Sequence, residues 1–170
     1  MRLFIAANFD EKIVSALTEL QEDLRRNGAE GNFTRPENLH LTLAFIGEYG
    51  NPEDVFDIME EIPFSPVTLQ IDGFWHLREL YLLKMAADTE LENYVRRLRK
   101  ALSDHGIPFD RKKFSPHITL IRKVSFRNGS LELPENLSKI PVGINKVSLM
   151  RSDRGKRGMI YTELGSIGEE

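Results

Sequence analysis

Two tetrapeptides could do chemistry together: His40-Leu41-Thr42-Leu43 and His117-Ile118-Thr119-Leu120, each of the form His-apolar-Thr-apolar. On a β-strand, residues i and i+2 project from one face, so an imidazole and a hydroxyl point together while the aliphatic pair points to the core. Imidazole has an unperturbed pKa of about 6.5 and can be acid or base near neutrality. In-line displacement at phosphorus needs a base on one flank and an acid on the other. Two such strands facing across a cleft would supply both, with the hydroxyls of Thr42 and Thr119 donating to the non-bridging oxygens. Arg122, three residues after Thr119, adds a bidentate contact to the same phosphate. The residues do not say which histidine is the acid.

A single His-x-Thr would read as a packed histidine beside a β-favouring threonine. Two of the chain's four histidines share the pattern, which turns the argument. His76, beside Trp75, is assigned to packing, and His105 to the negative end of a helix. There is no His-x-x-x-His, no cysteine and no carboxylate repeat near the pair, so neither a metal nor another cofactor is expected. Gly155 and Gly158 flank Lys156-Arg157 without the spacing of a phosphate-binding P-loop, and within the loop Ser152–Gly158 the residues Arg154–Gly158 read as a hairpin rather than a substrate clamp. Phe33, Phe109 and Phe114 flank the motif strands. Phe33 is the candidate for stacking on a base, and Phe114 is assigned to the core.

The elements that must position these residues follow from periodicity. Residues 2–9 read as a strand, and residues 11–27 as a helix with Ile13, Val14, Leu17, Leu20 and Leu24 inward, stopped by Gly28. A polar connection from Gly28 to Asn38 leads to a strand over 39–46. Asn51-Pro52-Glu53-Asp54 starts a helix that runs to about Glu61. Val67, Leu69 and Ile71 alternate as a strand, joined by a hairpin to another over 79–85. A helix from Asp88 or Thr89 buries Leu91, Val95, Leu98 and Leu102 and stops at Gly106. Strands over 117–124, 144–150 and 159–164 complete the chain, after a Gly- and Pro-containing stretch. Strand, helix and motif strand thus occur twice, at one offset: Leu3 to Leu80 and His40 to His117 are each 77 residues. The repeat points to an α+β fold in which two antiparallel sheets with outer helices face each other across a cleft.

With 170 residues and a hydrophobic share of 41%, one two-lobed domain over 1–170 is expected. The absence of cysteine excludes disulfides and thiolate chemistry and suits a reducing compartment. The opening apolar run is broken at Asp10-Glu11-Lys12, too early for a signal peptide or a membrane span, so a cytoplasmic protein is expected. Residues 1–85 carry 7 Lys/Arg against 15 Asp/Glu, and residues 86–170 carry 16 against 11, a change from −8 to +5. Basic clusters at Arg111–Arg127 and Lys146–Arg157 suit a short anion engaged locally rather than a long backbone.

The opening Arg2-Leu3-Phe4-Ile5-Ala6, the block Pro36–Glu48 around the first motif and the block Phe114–Arg122 around the second all resemble one family's signatures. That family is the bacterial and archaeal 2′-5′ RNA ligase-like family of RNA 2′,3′-cyclic phosphodiesterases, within the two-histidine phosphoesterase superfamily. The resemblance implies a bilobal α+β fold and metal-independent opening of 2′,3′-cyclic phosphates to 2′-phosphomonoesters. It implies that His40 is the proton donor to the departing 3′ oxygen and His117 the proton acceptor that activates water. It also implies that Thr42, Thr119 and Arg122 bind the phosphate. Many relatives carry an aromatic-aliphatic pair, often beginning with Trp, just before the first block, where this chain has Phe33-Thr34. Ligation through a 2′-5′ bond takes a 5′ hydroxyl in place of water, so the same residues would serve both. The expected partners are RNA ends or nucleotides bearing 2′,3′-cyclic phosphate, with no membrane or protein partner, and the chain is expected to be a monomer. The alternatives are a phosphodiesterase for another small cyclic or 2′-5′-linked substrate, and a non-catalytic RNA-end or nucleotide-binding module.

Overall fold

The structure, a computed structural model, describes residues 1–129 and 140–168. The Gly- and Pro-containing stretch expected before the last strands falls largely on residues 130–139, outside the described residues. The first half runs β1 (Arg2–Asn8), α1 (Glu11–Arg26), β2 (Ala29–Phe33), β3 (His40–Glu48), α2 (Pro52–Glu61), β4 (Val67–Leu69) and β5 (Ile71–Leu77). The second runs β6 (Leu80–Met85), α3 (Thr89–Asp104), β7 (His117–Phe126), β8 (Val142–Ile144), β9 (Lys146–Gly155) and β10 (Gly158–Gly168). Each helix begins where its cap dictates. Asp10, Asn51 and Asp88 accept hydrogen bonds from backbone N–H groups of the first turn, and Pro52 sits where an N–H would be unpartnered anyway. Gly28 and Gly106, both at positive φ, turn the chain out of α1 and α3.

Two four-stranded antiparallel sheets carry the motifs, one in the order β10-β9-β1-β3 and the other β2-β7-β6-β5, while β4 and β8 form a separate ribbon. β3 and β7 lie against each other, which brings the two sheets together along the motif strands. One continuous core runs through α1, α2, α3 and the inner faces of both sheets, so the halves share their hydrophobic interior. A second small cluster, Phe4, Ala6 and Met150, lies on the other face of the first sheet, with Phe45 and Tyr161 packed on it.

The repeat survives in detail. β1 pairs with β3 as β6 pairs with β7, and each motif strand bulges three residues after its histidine. Ala6 faces Thr42 and Ile5 faces Ala44, leaving Leu43 extra, while Leu82 faces Thr119 and Tyr81 faces Ile121, leaving Leu120 extra. Such a bulge bends the strand and removes one carbonyl from the ladder.

Three expectations need correction. Residues 29–33 are a strand, not a polar connection. Glu30, Gly31 and Asn32 have little strand propensity, and β2 takes its register from pairing with β7. Gly31 is required there, because a Cβ would meet the carbonyls of Arg122 and Lys123 at 2.8 Å. The strand expected from Val67 to Ile71 is two strands: β4 joins β8, and β5 continues to Leu77 to make the hairpin with β6. Exposed Asp72, Trp75, His76 and Leu77 hide that continuation from an alternation count, as an edge strand does. Ser152–Gly155 extends β9 and Gly158 opens β10, so the expected loop shrinks to Lys156-Arg157.

Candidate active site

His40 and Thr42 are half-buried on β3 between buried Leu41 and Leu43, and His117 and Thr119 repeat the pattern between Ile118 and Leu120. Both imidazoles are held in one way. The His40 Nδ1–H donates to the carbonyl of Asn38 at 2.7 Å, and the His117 Nδ1–H to that of Ser115 at 2.8 Å. A carbonyl only accepts, so each Nδ1 carries the hydrogen and each Nε2 is left as the atom that gains or loses a proton. Asn38 is itself buried and donates through Nδ2 to the Met159 carbonyl at 3.0 Å, fixing the turn before β3 to the start of β10. Arg35 donates to the same carbonyl.

Behind each strand, a helix side chain takes the carbonyl released by the bulge. Arg99 of α3 donates to Leu43 O through Nη2 at 3.0 Å and Nε at 3.3 Å, and to Lys112 O through Nη1 at 2.7 Å. Gln21 of α1 donates to Leu120 O at 3.0 Å and to Thr34 O at 2.9 Å. Thr34 returns its hydroxyl to Thr119 O at 2.8 Å and its N–H to Leu120 O at 2.9 Å. Sequence reasoning missed Gln21 and Arg99. The sign for Gln21 was its place between Leu17 and Leu24 on the apolar stripe of α1.

The surroundings of the two histidines differ. The His40 ring lies 5.1 Å from that of Phe4 and 5.3 Å, edge-on, from that of Tyr161, and Phe4 and Tyr161 also touch each other at 5.1 Å. Burial among these rings holds the His40 pKa below its ordinary 6.5. The Asn38 carbonyl offsets part of that, and the charges of Arg122 and His117 lower it further.

Two open cavities meet at His40. One, of about 720 Å³, is lined by His40, Thr42, Arg122, Phe4 and Tyr161 together with Arg2, Arg151 and Arg154. The other, of about 630 Å³, shares His40, Arg122, Met159 and Tyr161 and adds Thr119, Phe33, Arg25, Arg35 and Arg157. Five expected site residues thus line the paired cavities: His40, Thr42, Thr119, Arg122 and Phe33. His117 is not on either lining, although it stands on the same strand face as Thr119 and acts electrostatically on His40. Phe33 carries the Arg25 guanidinium 4.3 Å from its ring centroid. Among the described residues no carboxylate lines the second cavity, whereas Glu48 and Asp153 line the first. Among the described residues no group of three or more His, Asp or Glu side chains is placed to hold a metal ion.

His105 binds the Ala101 carbonyl at the end of α3, as expected. His76 is exposed, its ring against Phe126 at 5.2 Å. Phe114 is half-buried against the core. Arg151–Arg154, assigned in part to a loop, instead form a strand wall of the larger cavity.

The sequence profile of the LigT like Phosphoesterase family matches the chain over residues 9–78 and 83–161, one stretch in each half. The chain belongs to that family. An RNA 2′,3′-cyclic phosphodiesterase of Thermotoga maritima is 28% identical over 96% of this chain and 93% of its own length. A solved phosphoesterase structure superposes with a TM-score of 0.82 at 22% identity, covering 98% of this chain and 97% of that one. The structure of E. coli LigT complexed with 3′-AMP does so with a TM-score of 0.80 at 24% identity, over 98% and 96%. These likenesses place the LigT-like fold over the whole described chain, with one motif strand in each matched stretch. Among the described residues no helix is long and apolar enough to cross a membrane.

Proposed function

We propose that this LigT-like protein opens 2′,3′-cyclic phosphates at RNA ends or on nucleotides, releasing 2′-phosphomonoesters, with His40 and His117 as its acid/base pair. The observation that carries this reading is the equivalence of the two histidines. Each is locked by its Nδ1–H on the carbonyl two residues earlier, so two Nε2 atoms are free to move protons. A binding module would need donors, not two titrating nitrogens held alike. The Thermotoga maritima relative is an RNA 2′,3′-cyclic phosphodiesterase, which supports this reading.

In this mechanism the phosphate sits between the motif strands, with Thr42, Thr119 and Arg122 donating to its non-bridging oxygens. His117 takes a proton from water as it attacks phosphorus, and His40 protonates the departing 3′ oxygen. The P–O3′ bond breaks as the new P–O bond forms, leaving the phosphate on the 2′ oxygen. Phe33 and Arg25 form the base-side wall of the arginine-lined cavity. With a 5′ hydroxyl in place of water as the attacking group, the same displacement would break the P–O3′ bond and join the ends through a 2′-5′ bond.

The depressed pKa of His40 favours the opposite division of labour, since a neutral imidazole is a base. As donor, His40 must regain its proton when the anionic phosphate arrives and offsets the charge of Arg122. Titration of the imidazole Cε1–H resonances with and without a bound 2′-nucleotide separates the two. A rise in the His40 pKa on binding supports His40 as donor, and no rise assigns that role to His117.

The reaction itself is tested by turnover of cytidine 2′,3′-cyclic phosphate in excess EDTA by wild type, His40→Ala and His117→Ala, with ³¹P identification of the product. The expected result is a 2′-phosphate from wild type and a loss of about 10² to 10⁴ in kcat for each variant. No turnover by wild type would refute the reading.

A further inference from the structure

The second sheet has a flank that the proposed reaction does not use. Directly opposed residues of antiparallel strands project from one face. Lys84 is opposite His117, Leu82 is opposite Thr119, and Trp75 is opposite Leu82. Trp75, Lys84, His117 and Thr119 therefore share one face of this sheet, while Phe74, Tyr81, Leu83 and Ile118 lie on the core side. Trp75, the chain's single tryptophan, is 44% exposed, and the Lys84 ammonium lies 5.4 Å from its ring centroid. With strands about 4.8 Å apart, the indole stands two strands and about 10 Å to the side of Thr119. It lies across β7 from β2 and the arginine-lined cavity.

A flat, exposed aromatic with a cation over its ring, continuous with a phosphate-handling strand, matches the chemistry of single-stranded nucleic acid, whose bases stack and whose backbone is anionic. We propose that Trp75 and Lys84 form a second nucleotide subsite, where a base of single-stranded RNA stacks on the indole and Lys84 meets the adjoining phosphate. This rests on the cyclic phosphodiesterase reading. It makes the protein prefer an oligonucleotide end to a mononucleotide. Protein partners for this face are not favoured, because its aromatic is isolated on an edge strand and paired with a lysine.

The test compares kcat/KM for a tetraribonucleotide ending in 2′,3′-cyclic phosphate with kcat/KM for cytidine 2′,3′-cyclic phosphate. The ratio of the two does not depend on the fraction of folded protein. Base–aromatic stacking predicts that the ratio falls about tenfold in Trp75→Ala and severalfold in Lys84→Gln, and that Trp75→Phe retains most of it. A ratio unchanged in Trp75→Ala overturns the subsite. If wild type turns over neither substrate, the phosphodiesterase reading fails on its own, and fluorescence of the single indole decides the subsite. Quenching by the tetranucleotide and not by the mononucleotide supports it, whereas an unquenched indole refutes it.

Discussion

β3 and β7 carry the same His-apolar-Thr-apolar pattern, the same bulge and the same imidazole lock, yet they sit differently. β3 is the edge of its sheet, with His40 enclosed by Phe4 and Tyr161, whereas β7 is internal to its sheet and His117 lies outside both cavities around His40. Duplication of strand chemistry therefore yields two equivalent nitrogens, and the neighbours make them unequal. The unequal neighbours come from β1 and β10, and nothing in the His-x-Thr pattern encodes them.

Removing Arg122 is the strongest way to disturb this asymmetry, because in the proposed mechanism it binds the phosphate and its charge acts on His40. Arg122→Gln is expected to lower kcat/KM by about 10- to 100-fold, the worth of a charged hydrogen bond of about 1.5–3 kcal/mol. Because the Arg122 charge lowers the His40 pKa, its loss moves the His40 limb of the kcat/KM profile upward. In wild type that limb is expected below pH 6.5, since the His40 pKa is lowered, and steady-state profiles of both proteins check the shift.

Opening the aromatic enclosure changes less. Tyr161→Ala should bring the His40 pKa back towards 6.5, read by NMR titration, with a rate change under about tenfold because no group on the phosphate is lost. A pKa depressed on folding means that stability is fully present above pH 6.5 and is lost as pH falls through the folded pKa. Tyr161→Ala should therefore lose less stability than wild type between pH 7.5 and 5, measured by urea denaturation.

The smallest effects on chemistry are expected behind the strands. Arg99→Met removes three hydrogen bonds, including both to Leu43 O. Gln21→Leu removes two, and Leu120 O keeps the Thr34 N–H. Leaving a buried carbonyl short of donors costs about 1–3 kcal/mol, and a chain of this size loses about 2–4 °C in Tm per kcal/mol. Arg99→Met should melt lower than Gln21→Leu, and scanning calorimetry of the pair checks the order.

What was legible in the sequence was whatever a local rule governs. The caps at Asn51 and Asp88, the stops at Gly28 and Gly106 and the His-x-Thr alternation each have a local cause, and their elements stand where expected. β2 was not legible because Glu30-Gly31-Asn32 becomes a strand only through β7. The outer part of β5 was hidden because its cleft face is not apolar-patterned. Of the candidate site, the paired motif, Arg122 and Phe33 could be read, whereas Phe4 and Tyr161 could not, since their approach to His40 depends on the sheet order β10-β9-β1-β3 and not on any local pattern.

The central claim is that the two histidines act as one acid/base unit, and a double-mutant cycle tests it most directly. Turnover of cytidine 2′,3′-cyclic phosphate by His40→Ala, His117→Ala and the double variant should give three nearly equal residual rates, because a unit broken once is already broken. If the double variant instead lost the product of the two single losses, the histidines would contribute independently and the pair would be refuted.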